Sequence, residues 1–470
     1  MVFMDWLLKL LAIPWNGCAQ FYRGFLASSL SARIAWTVAI FQLFVVVLAF
    51  LMVLLLGQAS IFQSWWSPGK AIILFVLLLV VPILVYYAAR LWLDRGEKSR
   101  WGDVEAAWNV ALVELSRQQV SLKDVPLFLL LGTDGQEQER GILQNAPINL
   151  TVLASPPGSA PLHFSGGSEG VFLCLSGVGQ ASIASEKLRS GKEAFESGIQ
   201  SDRFGQDILT PKEREDSTER LKFVCELLQH AREPLAPING VLAVVPLDFR
   251  ATRSDATGAV AVAMGEDLAT ISLAIGLRFP VVIAASGLEM ESAFPDLLQR
   301  IGKEGYKKTI GQIFPINLPT TPDQMQAVSQ RACGVLDDMI VTQLLDTKKL
   351  DDQPADRHLV GMVCRIRLNL IPQMTAMLAS VLNSASHGGG AMLAGCYLFS
   401  IGNTAAGGNR AFIGGIFDRL LDVQGDLDWT DVRLAQDNSS CRVARIMRIL
   451  DICMLVSIAC LLIVIWWRMA

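Results

Sequence analysis

The eight residues from Gly132 to Glu139, Gly-Thr-Asp-Gly-Gln-Glu-Gln-Glu, follow a short apolar run and precede a helix-compatible one. A turn of that length between a strand and a helix is where phosphates are cradled. Its glycines let backbone N–H groups point at the anion, a Lys reaches the terminal phosphate oxygens, and a Ser or Thr hydroxyl holds magnesium. Gly132 and Gly135 remain, but Glu137 replaces a glycine, Gln138 stands in the Lys place and Glu139 in the Ser/Thr place. One cation is lost and two carboxylates are added where a polyphosphate would lie. Like charges ~4 Å apart in a poorly screened site repel by several kcal/mol. The placement is that of a P-loop, whereas the residues are wrong for a nucleotide. The expectation is a degenerate turn with no cofactor, no metal and no catalytic residue.

Other constellations are weaker. Gly166-Gly167-Ser168-Glu169-Gly170 matches the GxSxG of serine hydrolases, but it precedes an apolar run instead of following one, which makes it a hairpin-like turn. His387-Gly388-Gly389-Gly390 resembles an oxyanion motif, yet it comes after the Ser and follows a predicted helix that glycines would simply end. Cys174, Cys225, Cys333, Cys364 and Cys396 sit among apolar residues and read as small core side chains. His163 and His230 have no ligand-spaced partner in the sequence. Asp248 and Asp255 follow a strand and read as loop residues. Arg442, Arg445 and Arg448, at i, i+3 and i+6, read as a topology anchor that can touch anionic lipid.

The elements that would carry these residues are legible from hydrophobic pattern. The chain has 470 residues, 52% apolar and 18% charged, with a net charge of −4. That excludes a disordered chain and gives no support to nucleic-acid binding. Three runs, Ile34 to Leu56, Ala71 to Ala89 and Ile452 to Trp467, have the composition of transmembrane helices. Lys and Arg flank them so that the N-terminus and residues 90–449 fall on the cytoplasmic side. Val125 to Leu131, Val171 to Leu175, Asn239 to Val245 and Phe279 to Ala285 are short continuous apolar runs, the pattern of buried parallel strands, with helical segments between them. Asp103 is placed to cap a first amphipathic helix. Residues 321 to about 434 show helical periodicity. The expected organisation is an interfacial segment (1–33), a transmembrane hairpin (34–89), a doubly wound α/β domain (90–320), a helical subdomain (321–449) and a C-terminal transmembrane helix (450–470).

The order of these parts resembles the IcmF/TssM inner-membrane proteins of type VI secretion systems. PLFLLLGTDGQEQERGILQNAPINL is similar to that family's strand, GPPGxGKT turn and LxNSGLxFP segment, with Asn145 in the Asn place. Phe172 to Gly179 resembles its LLDTAGRY. Pro237 to Val241 matches its PINGV, and Arg278 to Val281, running on to Glu289, resembles its RFPVYVLVTKCD. Tyr397 to Ser400, with Phe412 and Phe417 beyond, resembles its YFTS region. The departures concern nucleotide chemistry: Lys becomes Gln138, Thr becomes Glu139, the DTAG aspartate becomes Cys174 while Gly177 remains, and TKCD becomes a segment ending in Glu289. The resemblance therefore implies a membrane-anchored, degenerate P-loop GTPase-like fold that is not an enzyme. It would serve as a structural subunit in the bacterial inner membrane, binding other inner-membrane and baseplate subunits and forming homo-oligomers. A nucleotide-gated GTPase or ATPase switch is the alternative. The family's periplasmic region has no counterpart after the third run, so its contacts are not carried over.

Overall fold

The computed structural model describes residues 30–55, 68–93, 100–196, 208–247, 255–316, 318–345, 353–386, 389–402 and 410–469. The interfacial N-terminal segment, the centre of the polar stretch 186–216, Asp248 and His387 lie outside them. The chain divides into two units, one of Met1–Arg100 with Ala435–Ala470 and one of Trp101–Leu434.

In the first unit, α1 (Leu30–Leu55) packs against α2 (Pro68–Leu93). Pro82 lies inside α2 without ending it. Large apolar side chains such as Phe41, Met52, Ile72, Phe75 and Leu84 remain exposed on this pair.

The second unit runs α3 (Gly102–Arg117), β1 (Leu127–Leu131), α4 (Gln136–Leu143), β2 (Leu150–Ser155), β3 (His163–Gly167), β4 (Val171–Cys174), α5 (Gln180–Glu196), α6 (Pro211–Arg232), β5 (Gly240–Pro246), α7 (Asp255–Ile275) and β6 (Leu277–Ser286). It continues with α8 (Phe294–Gly305), β7 (Gly311–Ile313), α9 (Pro322–Leu345), α10 (Gln353–Arg365), α11 (Ile371–Ala385), β8 (Ala391–Phe399), α12 (Gly414–Asp422) and β9 (Asp428–Trp429). The last helix, α13 (Asp431–Met469), carries the third long apolar run.

The nine-stranded sheet has the order β2-β3-β4-β1-β5-β6-β8-β7, with β9 beside β6. β4, β1, β5, β6 and β8 run parallel. β2 and β3 at one end and β7 at the other are antiparallel. The α/β class expected from the apolar runs is present, and the sheet is mixed instead of purely parallel. All four runs read as strands are strands. β1 shows why: all five of its side chains are buried, as a strand covered on both faces requires. Phe128 stacks on Phe172 at 5.3 Å, and Phe172 meets Phe417 of α12 in a T-shaped pair at 5.4 Å.

The segment 321–434 is not wholly helical. Ala391–Phe399 returns to the sheet as β8 and pairs with β6 along nearly its whole length. Between α10 and α11 the chain makes a π turn, Ile366–Leu370, just ahead of Pro372. A proline there has no N–H to continue the ladder. Asp103 does not cap α3. It lies in the first turn and pairs with Arg220, while Trp101 occupies the cap position and makes no side-chain capping bond to the helix.

Among the described residues, Thr257–Ile275 of α7 has the length and apolar composition to cross a membrane. Its setting is that of a core helix: 61% of it is buried, and it packs against α5, α6, α11 and the central strands. A helix apolar on nearly every side is expected where protein surrounds it.

The PINGV segment acts as a staple at the opposite end of the strands from the glycine turn. Asn239 Oδ1 accepts from the Leu127 N–H (2.9 Å) and from Arg232 (3.2 Å), and Asn239 Nδ2 donates to the Gln424 carbonyl (3.2 Å). The buried Arg232 also donates to Val125 and Ala236 carbonyls.

Candidate functional site

The turn from Gly132 to Gly135 joins β1 to α4 at the carboxyl end of the central strand, the region where open α/β sheets bind ligands. Gly132 has φ +80°, and a Cβ there would lie 2.0 Å from the Val244 carbonyl oxygen, so only glycine fits. Its N–H donates to Ser182 Oγ of α5 (3.0 Å). Gln138 turns back over the loop, and its Oε1 accepts the Asp134 N–H at 2.7 Å. Asp134 in turn lies 3.6 Å from Arg189 of α5. Two backbone donors of the turn, the Gly132 and Asp134 N–H groups, are therefore taken by side chains of the protein. Glu137 and Glu139 also stand in the first turn of α4 and complement its positive dipole end.

Glu139 points inward. It is fully buried, accepts from Thr133 Oγ1 (3.2 Å), and lies 2.8 Å from Nδ1 of the buried His163. The other ring nitrogen of His163 meets the Gly158 carbonyl at 2.9 Å. Burial alone would push the imidazole pKa down, but the contact with Glu139 and its charge leave it raised above 6.5. Cys174 is opposite His163 in the β3–β4 register. Burial pushes its thiol well above the ordinary value, and the Glu139 charge adds to the effect. In the sequence His163 is isolated. Its partner comes from α4, and only the antiparallel placement of β3 brings the two together.

The remaining degenerate positions are also closed. The Gly177 N–H donates to the Pro161 carbonyl (2.9 Å), and a Cβ on Gly177 would lie 2.7 Å from Pro161 Cα. The following helix, α5, has its N-terminus filled by the fully buried Asp267, which accepts the N–H groups of Gln180 (3.0 Å) and Ala181 (2.9 Å). Burial pushes the Asp267 pKa up to about 7 against those two hydrogen bonds. Glu289, after β6, is pushed up by burial and is held by Ser400 and by backbone N–H groups of Ile401 and Gly287. It ties the loop after β6 to the loop after β8. Glu291 nearby makes a bidentate pair with Arg365 of α10, at 2.9 and 2.5 Å. Asn145 is local, donating to the Gly141 carbonyl (2.8 Å).

Ser168 is exposed in the β3–β4 turn, closed by the Gly167 N–H to Gly170 carbonyl bond (3.0 Å). His163, on the adjoining strand, is committed to Glu139, and the turn holds no nucleophile–base pair. Cys174, Cys225, Cys333 and Cys396 are buried, with thiols pushed up by burial. Cys364 is exposed on α10, against the core reading. Arg442 and Arg445 lie exposed on α13. Among the described residues, no group of three or more His, Cys, Asp or Glu side chains is arranged to hold a metal ion.

Residues 214–427 match the family model described as the IcmF-related N-terminal domain. The match contains the Asn239 staple, Glu289 and β8, and begins after the glycine turn, Cys174 and Gly177. No curated protein and no solved structure matches the chain.

Proposed function

We propose, from the match of residues 214–427 to the IcmF-related N-terminal domain, that the chain is a structural subunit of a type VI-like secretion complex in the bacterial inner membrane. Its α/β unit serves there as a cytoplasmic scaffold for other secretion subunits, without turning over nucleotide. The observation that carries the scaffold reading is the internal occupation of the glycine turn. Gln138 takes the Asp134 N–H, and Glu139 buries its carboxylate against His163 where a phosphate-bound cation would be needed. A polyphosphate entering this turn would have to displace one carboxylate-bearing network and face another at Glu137.

The membrane half rests on the three apolar runs, on the Lys and Arg that flank them, and on the exposed apolar faces of α1 and α2. Side chains such as Phe75 and Leu84 at that exposure suit hydrocarbon rather than water.

Two measurements test the two halves. Fluorescent GTP and ATP analogues with magnesium are titrated into the detergent-solubilised full chain. No saturable binding is expected, and micromolar affinity would replace the scaffold with a nucleotide-gated switch. Separately, native membranes are crosslinked and the chain is recovered by a tag after Ala470. Secretion-complex subunits are expected among the adducts; recovery of the chain alone overturns the secretion assignment.

A further inference from the structure

His163 is buried with an acceptor at each ring nitrogen. Nδ1 lies 2.8 Å from Glu139 Oε2, and Nε2 lies 2.9 Å from the Gly158 carbonyl oxygen. A carbonyl oxygen only accepts, so Nε2 must carry a proton. A carboxylate oxygen at Nδ1 requires a second proton between the two atoms. Keeping both contacts therefore takes two protons on the imidazole–carboxylate pair. A neutral imidazole beside an ionised carboxylate has one, and must give up a contact.

Charge sets which contact goes. Glu139 is fully buried, and its other oxygen accepts from the Thr133 hydroxyl (3.2 Å). A hydrogen bond to an ionised group is roughly twice as strong as one between neutral groups. The remaining proton stays on Nδ1, and Nε2 then turns a lone pair on Gly158. The surroundings offer no rival carboxylate. From α4, Arg140 also acts on the ring, lowering its pKa. From β4 comes the Cys174 thiol, kept protonated by burial. β2 and the β2–β3 loop, residues 156–162, contain no titratable side chain, and the inward stripe of α3 is apolar.

The far end of that loop is fixed by the Gly177 N–H on the Pro161 carbonyl (2.9 Å). Its tip, Pro157, Gly158 and Ser159, is exposed, and the bond from His163 ties it to the core. Pro157 also lines a groove of about 650 Å³ between α3 and β2, so the position of the tip shapes that groove.

We propose that His163 is a proton-operated latch on the β2–β3 loop. With both ring nitrogens protonated it holds Glu139 and Gly158 together. On losing one proton it keeps Glu139 and releases Gly158, and the loop tip loosens as pH rises. The latch does not depend on the scaffold reading. It makes a specific demand of Glu139→Gln. The new amide offers an N–H to Nδ1, so a neutral imidazole accepts there and still donates from Nε2 to Gly158. This variant should hold the loop closed where the wild type opens.

The test places a nitroxide spin label at Ser159→Cys in the full, detergent-solubilised chain, with its other accessible cysteines changed to serine. Label mobility is followed from about pH 6 to about pH 9.5. In the wild type the mobile-to-immobile ratio should rise about tenfold per pH unit, as a one-proton step requires. A label at Ser168→Cys, in the turn at the other end of β3, should not respond. Glu139→Gln should keep the Ser159→Cys label immobile across the range. A wild-type trace without a transition overturns the proposal, whatever the variant does. So does a Glu139→Gln label that is mobile at the alkaline end. A Ser168→Cys label that mobilises with the wild-type midpoint also overturns it, since that reports loosening of the whole unit.

Discussion

Glu139 and His163 are buried 2.8 Å apart, with Thr133 donating to Glu139 and the Gly158 carbonyl meeting His163. Removing one member of such a pair strands the other. His163→Leu leaves a carboxylate in the core and should destabilise the unit by ~3–5 kcal/mol. Glu139→Gln leaves an imidazole that can become neutral, so the loss should be smaller. Differential scanning of the solubilised chain orders the two, and equal shifts would argue that the pair is not charged. The pH dependence has a definite sign. The folded pKa of His163 lies above its unfolded 6.5, so its contribution is complete below about pH 6.5 and is lost as pH rises through the folded value. Wild type should lose stability over that alkaline window, and the double variant Glu139→Gln/His163→Leu should show no such loss there. From the sequence, Glu139 reads only as an intruder in a metal-binding place. Its partner stands in another strand, and no spacing rule links the two.

At the level of elements, α5 is held at its start by Asp267, a residue of α7. Its pKa is pushed from 3.8 to about 7 by burial, with the N–H groups of Ala181 and Gln180 opposing and the charge of Glu266 adding. A folded pKa above the unfolded one means that the native state binds more protons between about pH 4 and 7. This group therefore lowers stability as pH rises through that window. Asp267→Asn should flatten that slope and weaken the cap by ~1 kcal/mol. Faster amide exchange at Gln180 and Ala181, with unchanged exchange in β5, is the expected readout; uniform loss of protection would point to global unfolding instead. Elements themselves were unevenly legible. β1, β4, β5 and β6 announce themselves as apolar runs because both their faces are covered. β3, His-Phe-Ser-Gly-Gly, carries too few apolar residues for that signal, although all five are buried. β8 is concealed by the helical periodicity around it and by the small residues that let it sit close to β6 and β7.

For the whole molecule, the proposed topology puts the link between α1 and α2 outside the cytoplasm and the α/β unit inside it. In a cysteine-free background, a membrane-impermeant maleimide on cells with a permeabilised outer membrane should label Ser64→Cys and spare Lys303→Cys; the reverse pattern inverts the orientation. The sequence by itself determined the α/β class, the central strands, the long apolar runs and the loss of phosphate-binding residues. These are properties of local composition and period. Only the tertiary structure decided what replaced the lost chemistry. Gln138 closing on Asp134, Glu139 meeting His163 and Asp267 capping α5 are all contacts between residues that the chain order separates or leaves unoriented. The physical reason is that a buried charge or N–H group must find a partner wherever the packed elements provide one, and the packing, not the local sequence, sets which partner that is.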